Sequence, residues 1–373
     1  MKLETLAIHA GRRRDRETGA VAPPIYLSTT FERDEANELF GPTQYIREGN
    51  PTQSVLEEAM ARLEGGQDAL AFASGMAAGS ALLMTLAPGS HLILPDDAYY
   101  GFRVASEDFL ARWGIRTDLV DMADLDNLRK AIRPETRLVW LETPSNPLMK
   151  VIDLEGAIAL ARSAGAVSVV DNTFATPILQ RPIELGADVA LHSTTKYIGG
   201  HTDVQGGVLV FREKGALYEQ ARHARHILGA VGSPFNSWLA LRGLRTLPVR
   251  MTWHSRNALT VARALAALPA VSAVHYPGLE SDPGHQRARK QMSEFGGMLS
   301  FHVRGGREAA IRAVTRARLF TRATSLGGAE SLIEHRATSE GPHSRTSPDL
   351  IRLSIGLEHT DDLIEDLTRA LAT

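Results

Sequence analysis

The 373-residue chain is expected to fold as α/β, with a large α/β domain on a mostly parallel sheet and a smaller C-terminal α+β domain. Three observations lead there. From about Leu70, short apolar runs alternate with longer amphipathic stretches, the rhythm of strand–helix units. Those runs are rich in Val, Ile and Leu without polar alternation, as in strands buried on both faces. A length of 373 residues also exceeds one ordinary core.

Taken in order, residues 1–48, with "VAPPIYLSTTF", carry few regular signals and are read as an arm. Residues 49–230 form the large domain: "ALAFAS" is a strand, "GMAAGSALLMTL" the helix after it and "HLILP" a second strand. "RLVWLE" and "VSVVDN" follow, separated by the helical "LEGAIALARSAG", and then comes "ADVALHS". In residues 231–373 the character changes. "SWLALRGLRTLPVRMTWHSRNALTVARALAAL" is expected to be a long helix interrupted by Pro248. "GGMLSFHV" and "LIRLSIGLE" are strands, while "REAAIRAVTRAR" and "TDDLIEDLTRALAT" are helices.

Composition excludes several classes. Hydrophobic residues at 43% and charged residues at 23% describe a globular chain, and a net charge of -2 offers no global field for nucleic acid or an anionic membrane. The absence of Cys removes disulfides, thiolate metal sites and a cysteine nucleophile. "MKLETLAIHAGRRRDRETGA" lacks a secretory apolar core and carries Glu4, Asp15 and Glu17, so a cytoplasmic location is expected. The basic run Arg12 to Arg16 is read as a solvated loop, and the longest apolar stretches are too short for a bilayer. "HARH" sets His223 and His226 one helical turn apart, yet no third ligand is spaced to complete a metal site, so none is expected.

Every candidate functional stretch is an apolar run that ends in polar residues and a turn: "AFASGM", "LILPDDAYYG", "WLETPSNP", "VVDNTF" and "ALHSTTK". In open α/β sheets, chemistry collects at such carboxyl ends. Lys196, the only lysine between Lys150 and Lys214, follows Ser193, Thr194 and Thr195 and precedes Gly199 and Gly200. A lysine amine attacks a carbonyl only when unprotonated, in a dry or cationic setting. Pyridoxal 5′-phosphate exploits such an amine, and it needs a carboxylate at its pyridine nitrogen and a phosphate cradle. Asp171, ending "AVSVVD", suits the first need, although a strand-end cap is an alternative. In "ASGMAAG" the amides of Gly75 and Met76 open a helix and suit an anion, with Ser193 and Thr195 adding hydroxyls. Tyr99 offers an aromatic face or is a core tyrosine.

Together with "YIREGNPT", "LETPSNP", "VVDNTFATPILQRPIELGAD", "HSTTKYIGGHTDV", "SLGGAESLIEH" and "RLSIGLE", these stretches resemble the cystathionine family of Cys/Met-metabolism enzymes, of PLP-dependent fold type I, like aspartate aminotransferase. The resemblance runs in order from Tyr45 to Glu358. It implies that Lys196 carries pyridoxal 5′-phosphate, that Asp171 partners its pyridine nitrogen, and that Gly75, Met76, Ser193 and Thr195 hold its phosphate. It implies that Tyr45 and Arg47 reach the cofactor of a neighbouring subunit in a homotetramer built as a dimer of dimers. Asn146, Ser325 and Arg352 match the substrate-carboxylate pocket, and Tyr99 matches the ring-stacking, proton-shuttling tyrosine, with Tyr100 the competing choice.

Within the family the resemblance implies a carbon–sulfur lyase, foremost cystathionine γ-lyase, then cystathionine γ-synthase, then methionine γ-lyase. Several positions depart from the pattern. Thr324 stands where enzymes acting on cystathionine commonly have Glu, Gln44 and Glu48 flank Tyr45 and Arg47, and Arg336 stands where Pro is frequent. The segment "RATSEGPHSRTSPDL" is short and lacks the familiar Met-Thr-His. A non-catalytic homologue is disfavoured because Lys196, Asp171, Tyr99 and Arg352 are all present.

Overall fold

The structure, a computed structural model, describes residues 1–342 and 344–372. Seven strands form the first sheet: β1 (Asp68–Phe72), β2 (His91–Pro95), β3 (Arg116–Val120), β4 (Thr136–Glu142), β5 (Val167–Asp171), β6 (Val189–Ser193) and β7 (Gly207–Phe211). Their order is β1-β7-β6-β5-β4-β2-β3. Only β7 runs against its neighbours, β1 and β6, so the carboxyl ends of the other six strands gather along one edge. Two strands join the expected five. β3, "RTDLV", is too polar and half-exposed to stand out as an apolar run. β7, "GVLVF", is fully buried, but nothing local announces its reversed direction.

The helices begin where the chain supplies caps. Asn50 accepts the amide of Thr52 ahead of Pro51–Glu64, which stops at the left-handed Gly65. Ser74 caps Gly75–Leu83 and Asp153 caps Leu154–Ser163 in the same way. β2, β6 and β7 are buried almost throughout. Each such Val or Leu side chain contributes about 1.5–3 kcal/mol. Trp140 on β4 is fully buried against Phe102, with ring centroids 4.4 Å apart.

The second sheet has the order β10-β11-β12-β9-β8, from β8 (Val271–His275), β9 (Met298–Val303), β10 (Thr321–Arg322), β11 (Leu332–His335) and β12 (Leu350–Ser354). Helix Thr360–Leu371 packs against Gly306–Arg316 and Leu247–Ala266. The expected long helix is two, Pro234–Leu244 and Leu247–Ala266, and Pro248 lies in the first turn of the second, where its missing N–H costs nothing. The first 48 residues are less irregular than expected, because Leu3–His9 is a helix packed on Pro51–Glu64. Among the described residues, no helix is long and apolar enough to cross a membrane.

Candidate active site

A cavity of about 290 Å³ opens at the carboxyl edge of the first sheet and reaches the second. That is near the lower bound for small-molecule sites. β6 ends at Ser193, β5 at Asp171 and β4 at Glu142, and the last two face each other in register. All three line the cavity, as do Gly75, Met76 and Thr195.

The cradle is built from close backbone approach. Ser74 uses its hydroxyl to accept the amide of Ala77 at 3.0 Å, leaving the Gly75 and Met76 amides at the open helix end. A Cβ on Gly75 would meet Ser193 Cβ at 2.9 Å, and one on Gly207 would meet the Ser74 carbonyl at 2.3 Å, so both positions must be glycine for the turn to sit this close. Thr195 Oγ1 accepts the amide of Gly206 at 3.1 Å.

Asp171 is buried, and its carboxylate accepts the amide of Thr173 at 3.0 Å. Burial pushes its pKa up, opposed by the Thr173 hydrogen bonds. Among the described residues, no ion pair reaches it. Behind it, Asn172 donates to Glu64 at 2.9 Å and Gln180 donates to Asn172 at 2.9 Å, while His192 meets Glu64 at 2.7 Å. This buried polar network fixes the strand end from below. Glu142 accepts the amide of Tyr99 at 2.7 Å. Burial, reinforced by the negative charge of Asp171, holds the Glu142 carboxyl well above its usual range.

Lys196 donates to the hydroxyl of Ser325 at 2.6 Å. Burial, helped by the positive charges of Arg352 and Arg336 and opposed by Glu334, lowers its pKa to about 8. Ser325 sits in the left-handed region with φ 85°, an uncommon conformation for a residue with a side chain. Its carbonyl accepts from Arg352 at 3.2 Å, so one residue touches both the amine and the guanidinium. Arg352, on β12, also donates to Asn146 at 2.8 Å and pairs with Glu334 on the adjacent strand β11.

The structure thus brings together Lys196, Asp171, Gly75, Met76, Ser193, Thr195, and with them Tyr99, Asn146, Ser325 and Arg352. Tyr100 and Thr324 line the same cavity. Tyr45 and Arg47 do not join it; Arg47 stacks over the half-exposed Tyr45 ring at 5.2 Å, out on the arm. Glu142 and Glu334, the acid paired with Arg352, had no assigned role on sequence grounds. The signal for Glu142 was there, since "RLVWLE" ends in an acid just as "AVSVVD" does. Among the described residues, no group of three or more His, Cys, Asp or Glu could hold a metal ion.

A buried amine of lowered pKa, a buried unpaired carboxylate and an anion cradle are what an aldehyde, a ring nitrogen and a phosphate ester require, so the residues fit pyridoxal 5′-phosphate. Comparison with known proteins agrees. The family described as "Cys/Met metabolism PLP-dependent enzyme" matches residues 4–372. A cystathionine gamma-synthase of Mycobacterium bovis is 50% identical over 374 residues, 98% of this chain and 96% of its own. A cystathionine beta-lyase of Lactococcus lactis subsp. cremoris is 45% identical over 382 residues, 99% of this chain and 98% of its own. The crystal structure of metB from Corynebacterium glutamicum superposes with a TM-score of 0.97 at 44% identity, covering 100% of this chain and 98% of that one. The chain adopts fold type I and belongs to the PLP-dependent enzymes of Cys/Met metabolism.

Proposed function

We propose that the chain replaces the γ-substituent of an activated homoserine ester with a thiol, the chemistry of a cystathionine γ-synthase. The near-full-length relatives of that name, 50% identical, move this reading ahead of the γ-elimination that the motifs first suggested. Elimination from cystathionine remains the second reading. The observation that carries the proposal is the meeting of Lys196, Asp171 and Arg352 in one cavity.

Lys196 would hold pyridoxal 5′-phosphate covalently, Asp171 would face its ring nitrogen, and Gly75, Met76, Ser193 and Thr195 would hold its phosphate. When bound, the cofactor supplies an electron sink for negative charge at Cα. Arg352, steadied by Asn146, grips the substrate carboxylate with parallel donors and so fixes which Cα bond faces Lys196. With a pKa near 8, Lys196 is partly neutral at physiological pH and takes the Cα proton. It then carries that proton toward neighbouring carbons, and the Ser325 hydroxyl at 2.6 Å holds the amine between strokes. Tyr99 would cover the cofactor ring and relay the proton lost by the incoming thiol, while the acyloxy group leaves Cγ as a carboxylate anion. Tyr45 and Arg47 would reach the phosphate of a partner subunit's cofactor in a homotetramer. Residues 1–48 act as the arm, 49–230 as the cofactor domain and 231–373 as the small domain.

Holoenzyme given O-acetyl- or O-succinyl-homoserine and cysteine should form cystathionine, read by mass spectrometry. Production of 2-oxobutanoate and ammonia from cystathionine, with no replacement product from either ester, would overturn the γ-replacement reading in favour of elimination.

A further inference from the structure

Tyr100 and the segment starting at Arg336, which departs from the family pattern, meet in space. Arg103 lies over the Tyr100 ring at 5.9 Å and pairs with Glu340 at 3.7 Å. Arg336 donates to Glu340 and to Glu334, at 3.2 Å each, and Glu334 is the acid that Arg352 also holds. The cluster therefore contains three guanidiniums, Arg103, Arg336 and Arg352, and two carboxylates, Glu334 and Glu340, a surplus of one positive charge in a buried setting.

Arg336 and Arg352 both line the cavity. Nη2 of Arg336 has no hydrogen-bond partner among the described residues, whereas Nε and Nη1 are engaged. The acids on the cavity wall are all committed. Glu340 gives one oxygen to arginines and accepts Ser344 and Thr346 on the other, at 2.7 and 2.8 Å. Glu142 accepts the Tyr99 amide at 2.7 Å, and Asp171 is the acid proposed to face the ring nitrogen. Thr324, Ser339 and Tyr100, which line the same cavity, carry hydroxyls and no charge.

We infer that Arg336 makes this wall a charge filter: the cavity binds amino acids whose side chain ends neutral or negative more tightly than those ending in an ammonium, so that a product carrying a distal ammonium leaves readily. With Arg352 taken by the α-carboxylate, a side-chain ammonium would meet the Arg336 guanidinium and no free carboxylate, whereas an ester or carboxylate would find a donor in its Nη2. The inference deepens the γ-replacement reading, because it favours a homoserine ester over cystathionine as the amino-acid donor.

The test uses holoenzyme and three unreactive amino acids, norleucine, 2-aminoadipate and lysine, with dissociation constants from calorimetry. Norleucine and 2-aminoadipate should bind at least about tenfold more tightly than lysine. Arg336→Gln should narrow the ratio of 2-aminoadipate to lysine affinity by about tenfold, and Arg336→Lys should restore it. Should Arg336→Gln fail to fold, Thr324→Glu, which adds a carboxylate to the same wall, should raise lysine affinity about tenfold. Lysine binding as well as norleucine to the unmodified enzyme, or no binding by any of the three, would overturn the filter. If the ranking holds while no cystathionine forms from either ester, the γ-replacement reading fails and the filter stands.

Discussion

Replacing Lys196 with Met should make the cofactor-free protein more stable at pH 7. The side chain has its pKa lowered from 10.5 to about 8 because folding buries it near Arg352 and Arg336. At about 1.4 kcal/mol per unit, holding that ammonium charged in the folded state costs about 3 kcal/mol. Losing the hydrogen bond to Ser325 returns about 1 kcal/mol of that, so the net gain is about 2 kcal/mol. The sign follows from linkage. A cation with a lowered folded pKa penalises folding in full below about pH 8, and the penalty vanishes as pH rises toward 10.5, where the unfolded chain also loses its proton. The apoprotein variant should therefore melt about 2–4 °C above the unmodified apoprotein at pH 7. The difference should shrink steadily between pH 8 and pH 10. Scanning calorimetry of both apoproteins across that range decides it. A difference that does not change with pH, or a variant less stable at pH 7, would refute the electrostatic reasoning.

Three further outcomes are expected. Asp171→Asn should retain the fold but lower kcat by about 100-fold or more, since an amide cannot keep a ring nitrogen protonated; single-turnover kinetics with an unchanged rate would contradict this. Glu142→Gln should keep kcat/KM within about threefold, because burial beside Asp171 favours the uncharged carboxyl that Gln mimics and Gln still accepts the Tyr99 amide, whereas Glu142→Ala should cost about tenfold. Equal losses in the two variants would show that the ionised acid is needed. Gly79→Ala should destabilise by about 1–3 kcal/mol in urea titrations, because its Cβ would meet the Phe102 ring at 2.3 Å and Trp140 at 2.9 Å.

Most of the large sheet was legible because a buried parallel strand writes itself as an apolar run, and its end as an acid or hydroxyl. Asp171, Ser193 and the Ser74–Gly75 turn were found that way. What the sequence hid depends on pairing. β7 looks like its neighbours yet runs backwards, and β11, "LIEH", is only four residues long. Glu142 gains its meaning from lying in register with Asp171 on the next strand. Arg336 could be flagged as a departure, and its partners Glu334 and Glu340 lie two and four residues away, but Arg103, which shares Glu340, comes from a distant part of the chain. Pro248 pointed to a break in the right region and was misread as a mid-helix interruption, because a proline one turn earlier or later in the same pattern starts a helix.

The loop between β6 and β7 is nailed down at every level. Ser193 and Gly207 pair across its mouth, the Thr194 amide donates to Gly206, and the Gly200 amide donates to the Lys196 carbonyl. Arg250 reaches in from helix Leu247–Ala266 to the carbonyl of Tyr197 at 2.6 Å, through a space that only Gly200, at φ 73°, leaves open. The peptide that carries the amine is therefore as immobile as the core, and all travel belongs to the four methylenes beyond Cα. The reach of the reaction is the length of one tether swinging from a fixed post, so shortening that tether by a single carbon would strand the amine at every station it must visit.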